Sequence, residues 1–119
     1  MKSNIIKEKS FDFAYRIIEL YKYVRYEKKE FVLSKQILRS GTAIGALVEE
    51  ALQAESKQDF IHKLSIANKE ANETHYWIRL LSKADYINKK SRESILKDCE
   101  ELIKLLTSII KSSKDNIKK

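Results

Sequence analysis

The sequence has no proline, two glycines, one cysteine and one tryptophan among its 119 residues. Without proline and with so little glycine there is little turn chemistry, which excludes a sandwich or barrel of many short strands. One cysteine cannot form an internal disulfide, so nothing points to an oxidising compartment. The first ten residues carry Lys2, Lys7, Glu8 and Lys9 and no apolar core, so no signal peptide is expected. No stretch approaches 18 uninterrupted apolar residues, so no membrane span is expected. A cytoplasmic, all-α protein of one domain spanning residues 1–119 is what remains. Its hydrophobic fraction of 43% is enough for one core, and its 34% of charged residues suits long solvated helices.

The formal net charge of +7 is unevenly spread. Residues 1–40 carry +5, residues 41–80 carry −2 and residues 81–119 carry +4. A basic balance of this kind suits nucleic acid or another anionic partner, and also suits lysines that only solvate helices.

Four amphipathic segments can be traced, at about 5–27, 31–54, 57–84 and 92–112. In the first, Ile6, Phe13, Ile17, Leu20 and Val24 follow alternating four- and three-residue steps, with Ser10 filling the gap. The second places Gly41 and Gly45, both glycines of the chain, four residues apart on one helix face. Interior glycine costs about 1 kcal/mol relative to alanine, so close approach of a neighbouring helix is expected there in preference to a kink. Ser56 reads as the cap of the third segment, whose heptad Phe60, Leu64, Ala67, Ala71, Thr74, Ile78 and Leu81 is the strongest periodicity in the chain. Ser91 reads as the cap of the fourth, and after Ile110 the pattern fades and fraying is expected.

Four such segments with short connections predict an antiparallel up-down-up-down four-helix bundle. In that topology the first and third connections share one end. They collect Lys22, Arg25, Lys28, Lys29, Lys83, Lys89, Lys90 and Arg92, which makes that end the more positive one, and all of these but Lys83 are the candidate nucleic-acid contacts. The other end mixes Lys2, Lys7, Lys9, Lys114, Lys118 and Lys119 with Glu55 and Asp59.

Enzyme chemistry finds little support. A di-metal bundle needs repeated Glu-x-x-His pairs, whereas Glu73 and His75 face different ways and Asp59 with His62 occurs once, at a helix start. Cys99 falls on a core stripe, and the glycines sit within a helical pattern and not in a phosphate loop. No cofactor, metal or catalytic residue is therefore expected. Glu70 and Glu73 share a stripe with Trp77 and need partners, for which Arg39, Arg79 and Lys69 are available. With Glu49 and Glu50 they suggest polar links between helices or subunits more than a ligand site. Paired apolar stripes on every helix suggest self-association.

Two stretches carry a resemblance. Ser34-Lys-Gln-Ile-Leu-Arg-Ser-Gly-Thr-Ala-Ile-Gly-Ala-Leu-Val-Glu-Glu-Ala51, together with Phe60-Ile-His-Lys-Leu-Ser-Ile-Ala-Asn-Lys-Glu-Ala-Asn-Glu-Thr-His-Tyr-Trp-Ile-Arg-Leu-Leu81, resembles the 23S rRNA intervening-sequence proteins. Ala43 stands where that family often has serine and Leu47 where it often has asparagine. The resemblance implies a four-helix bundle assembled as a ring-like homopentamer. By position, Arg39, Gly41, Gly45, Glu49, Glu50, Glu70, Glu73 and Trp77 match the family motif and are expected to serve packing and assembly. A related pentameric bundle, the accessory variability determinant of diversity-generating retroelements, binds nucleic acid and its reverse transcriptase through a basic surface. Binding of RNA or DNA is thus the expected function. With Tyr23, Tyr26 and Tyr86 the only aromatic residues in the basic connections, it is expected to be backbone-directed and weakly sequence-specific. The alternative is a scaffold that recruits a protein partner such as a reverse transcriptase.

Overall fold

The structure is a computed structural model that describes residues 2–118; Lys119, one of the cations assigned to the chain-terminal end, lies outside the described residues. Four α-helices follow one another: α1 (Lys2–Lys22), α2 (Leu33–Leu52), α3 (Lys57–Lys83) and α4 (Lys89–Lys118). A π-helical turn, Tyr23–Glu27, extends α1. The helices form an antiparallel up-down-up-down bundle of 51 × 22 × 19 Å. Packing is extensive between α1 and α2, α2 and α3, and α3 and α4, and thinner between α4 and α1.

Most of the apolar steps read from the sequence form the core; Leu20 and Phe60 are only partly buried against it, and Ile61 is buried at the start of α3 in place of Phe60. Phe13, Ile17, Val24, Ile37, Ile44, Val48, Leu64, Ile78, Leu81, Leu102 and Leu106 are all 0–2% exposed. Each such side chain removed from water contributes about 1.5–3 kcal/mol. Two glycines set the spacing of α1 against α2. A Cβ at Gly41 would lie 2.6 Å from Cγ1 and 2.7 Å from Cγ2 of Ile17, and one at Gly45 would lie 3.1 Å from the Ser10 carbonyl oxygen. The glycine pair is therefore a close-packing device. Ser10, the interruption in the α1 stripe, is buried against it, with its hydroxyl donating to the Lys7 carbonyl oxygen at 3.2 Å.

The helix ends explain how the chain turns without proline or glycine. Glu30 accepts from the backbone N–H groups of Leu33 at 2.9 Å and Ser34 at 2.8 Å, so a carboxylate satisfies orphan donors at the positive end of α2. Ser56 caps α3 as expected, accepting from Asp59 N–H at 3.0 Å. The cap of α4 is Asn88, not Ser91: the Asn88 side-chain oxygen accepts from Ser91 N–H at 2.8 Å. α3 ends with Asp85 at φ 67°, Tyr86 N–H donating to the Leu81 carbonyl oxygen at 2.9 Å and Asp85 N–H to that of Ser82 at 3.1 Å. This is the left-handed closure usually given to glycine. Lys29, at φ 58°, plays the same part after the π turn.

α4 is longer than its apolar pattern suggests. It continues past Ile110 to Lys118 and buries Ser113. A small hydroxyl can continue a packed stripe where hydrophobicity alone signals an end.

Candidate nucleic-acid interface

The first and third connections meet at one end of the bundle. A groove of about 430 Å³ between α1 and α4 is lined by Tyr15, Arg16 and Tyr23 on one side, and by Ile87, Asn88, Ser91 and Ile95 on the other. Residues 22–30 and 83–93 together hold eight basic and four acidic residues. At the other end, residues 2–12, 49–59 and 108–118 hold seven of each. One end of the bundle therefore carries the excess.

Lys22, Lys28, Lys29, Lys89 and Lys90 are exposed, and Arg25 and Arg92 are half-buried. Glu93 lies 3.9 Å from Lys89 Nζ and 3.8 Å from Arg92. Among the described residues, Lys22, Arg25, Lys28, Lys29 and Lys90 have no carboxylate within ion-pair distance. Of the four acidic residues at this end, Glu30 is committed to capping α2. Arg25 instead lies over aromatic rings, with its guanidinium carbon 5.0 Å from the ring centre of Phe31, 5.8 Å from that of Tyr26 and 6.0 Å from that of Tyr21. Lys28 Nζ lies 5.8 Å from the centre of Tyr23. The part of Tyr21 and Phe31 is not apparent from charge counting. The four-residue interval between Tyr21 and Arg25, which makes them neighbours on a helix face, is the signal that could have shown it.

The motif residues lie elsewhere: Gly41, Gly45 and Glu49 on the α1–α2 seam, and Arg39, Glu50, Glu70, Glu73 and Trp77 along α2 and α3. Arg39 donates to both carboxylate oxygens of Glu70 at 3.2 Å and also to Glu73, which in turn accepts from the Trp77 indole N–H at 3.0 Å. The Trp77 hydrogen bond, followed by Arg39, holds the Glu73 carboxyl below its ordinary range against the opposing effect of burial. The two carboxylates hold the Arg39 guanidinium above its ordinary value. Below this network the Thr74 hydroxyl donates to the Glu70 carbonyl oxygen at 2.8 Å and lies 2.9 Å from the buried Ser40 hydroxyl. Glu50 pairs with Lys63 at 3.3 Å, and Glu49 lies 4.0 Å from Lys7. These glutamates thus link helices within one chain. Arg79 is not a carboxylate partner: its Nε donates to Nδ1 of His75, leaving Nε2 to donate to Glu100 at 2.9 Å.

Sequence reading also missed the latch across the thin seam. Arg16 donates to Asp98 at 2.6 Å and to the Ser94 hydroxyl at 3.0 Å, tying α1 to α4, and Lys9 pairs with Glu101 at 2.7 Å. Cys99 is buried, and its thiol, pushed up to about 12 by burial, donates to the Ala71 carbonyl oxygen at 3.3 Å. No cluster of three metal-ligating side chains occurs among the described residues. No helix among them is long and apolar enough to cross a membrane.

A sequence model of the family described as 23S rRNA-intervening sequence protein matches residues 2–108. The chain belongs to that family. It is also similar to a crystal structure from Bacteroides thetaiotaomicron, described as a protein of unknown function from the S23 ribosomal protein family. The two share 59% identity with a TM-score of 0.92, over 93% of this chain and 99% of the other. No curated protein matches. With the family in place, the stretch from Ser34 to Ala51 acquires a physical content: its glycines seat α2 on α1, and its arginine and glutamates bind α2 to its neighbours.

Proposed function

We propose that this intervening-sequence family member is a non-catalytic, self-associating bundle, a homopentamer, whose basic end associates with nucleic acid through the phosphate backbone. The observation that carries the reading is the group of cations at one end, Lys22, Arg25, Lys28, Lys29 and Lys90, left without carboxylate partners among the described residues. Cations in such a group gain by displacing counterions from a polyanion. In an assembly, each copy repeats the patch, so individually weak contacts act together. Self-association is supported by apolar side chains left in water on one copy, with Phe11 70% and Val32 69% exposed. Phe11 stands beside a shallow shelf of small residues on α2, including Thr42, Gly45 and Ala46, that a second copy could cover.

The test is affinity for a structured RNA and a duplex DNA across a salt series, alongside sedimentation to obtain the assembly mass. The reading expects log K to fall linearly with log salt. Replacing Lys28, Lys29, Lys89 and Lys90 with alanine should make that slope shallower by about 0.9 for each lysine in contact. Absence of binding at low salt would remove the nucleic-acid reading, and a monomer at micromolar concentration would remove the assembly.

A further inference from the structure

The first connection has a property that phosphate binding does not require. Tyr23 is 43% exposed, Tyr26 58% and Phe31 49%, so three rings within nine residues stand in water at the more basic end of the bundle. The π turn keeps Val24 fully buried while Tyr23 and Tyr26 flank it on the outside. The rings are interleaved with cations, since Arg25 sits over Tyr26 and Phe31, and Lys28 over Tyr23. The Arg25 terminal nitrogen Nη1 is buried with no hydrogen-bond partner, and no carboxylate lies within ion-pair distance of the guanidinium among the described residues. From Tyr23 the α1–α4 groove runs on past Tyr15, lined also by Glu19, Asn88, Ser91 and Arg16, the last already paired with Asp98.

Resting on the reading of this end as a nucleic-acid surface, we infer that the first connection is a stacking platform for unpaired bases. Its ligand is then single-stranded nucleic acid in preference to duplex. Rings and bases stack face to face whatever the base, while lysines beside them hold the phosphates. In a duplex the base faces are already occupied by their neighbours, and only the backbone and the groove edges are offered, so exposed rings find no face to stack on. The positive balance of residues 22–30, with Glu30 committed to the cap, favours this occupant over a second protein.

The test compares a labelled oligouridylate of about 20 nucleotides with an RNA duplex of equal length. It uses the intact protein and the variants Tyr26→Ala, Tyr26→Phe and Lys28→Gln, each checked by circular dichroism and sedimentation. The inference expects tighter binding of the oligouridylate. Tyr26→Ala should weaken it roughly 5- to 150-fold with the salt slope unchanged. Tyr26→Phe should retain affinity, and Lys28→Gln should lower the slope. Equal binding of both probes, with Tyr26→Ala without effect, would overturn the platform and leave the basic-end reading standing. Failure of both probes to bind at low salt would overturn both. A Tyr26→Ala variant that changes the assembly mass would assign the rings to contacts between copies and overturn the platform.

Discussion

Replacing Gly41 with alanine sets two effects of known size against each other. Helix propensity favours alanine in a helix interior by about 1 kcal/mol. The new Cβ, however, would stand 2.6 and 2.7 Å from the two γ-carbons of Ile17, which is fully buried. Ordinary carbon contacts are about 3.5–4.0 Å, so the overlap is roughly 1 Å. The offending atoms branch directly from the Ile17 Cβ, and a β-branched side chain in a helix has one strongly preferred rotamer, so it cannot swing aside. Overpacking costs about 1–3 kcal/mol, and a clash this deep belongs at the upper end. The net expectation is a loss of about 2 kcal/mol. Gly45→Ala meets the Ser10 carbonyl oxygen at 3.1 Å, a smaller conflict, and should fall within about 1 kcal/mol of wild type. Urea unfolding followed by circular dichroism, at one fixed protein concentration because association adds to apparent stability, measures both. The sharper test is the background Ile17→Ala, where the space is vacant: Gly41→Ala should there become neutral or stabilising. If Gly41→Ala is as stable as wild type, or if its sign does not change in that background, the close-packing argument is wrong.

Glu73→Gln should reveal the polar network through its pH dependence. Because the folded state holds the Glu73 carboxyl below its ordinary value of 4.5, its contribution is complete above that value and is lost as pH falls through the lower, folded value. A gap of about 1 kcal/mol near neutral pH, small because Glu73 and Arg39 are partly solvated, should therefore close in acid, and a gap constant with pH would contradict it. Asp85→Gly should stabilise by about 0.5–1 kcal/mol in the same urea assay, since φ at that position is 67° and glycine adopts it without strain; a loss would mean the aspartate has another role. Cys99 should resist a thiol reagent at about pH 8 in the native protein and react fully on unfolding, given its burial and raised pKa, and rapid native reaction would show an opening of the core.

Residue spacing made most of the fold legible, because a buried stripe on a long helix is a pattern that one dimension preserves. The heptad from Phe60 to Leu81 and the steps from Ile6 to Val24 pass into the core except at Phe60 and Leu20, which are only partly buried. What escaped were features decided by partners far away in sequence. Ser91 and Asn88 are both good caps, and only the turn left by Asp85 decides between them. Ser113 carries no hydrophobic signal, yet the neighbouring helices bury it. The same limit governs the candidate interface. Its lysines could be placed from topology, but for Glu70 and Glu73 the sequence left Arg39, Arg79 and Lys69 open as partners, and only the packing of α2 on α3 selects Arg39. Tyr21 and Arg25 are four residues apart, but the gathering of Tyr26 and Phe31 around the same guanidinium needed the π turn, which inserts a residue into the helical register and has no sequence signature here.

The central claim concerns where nucleic acid touches the bundle, so hydrogen exchange with and without bound RNA tests it most directly. Peptides covering residues 22–31 and 83–93 should exchange more slowly in the complex, while those covering the Arg39–Glu70–Glu73 network stay unchanged. Protection on the α2–α3 face, or none at the two basic connections, would contradict the account.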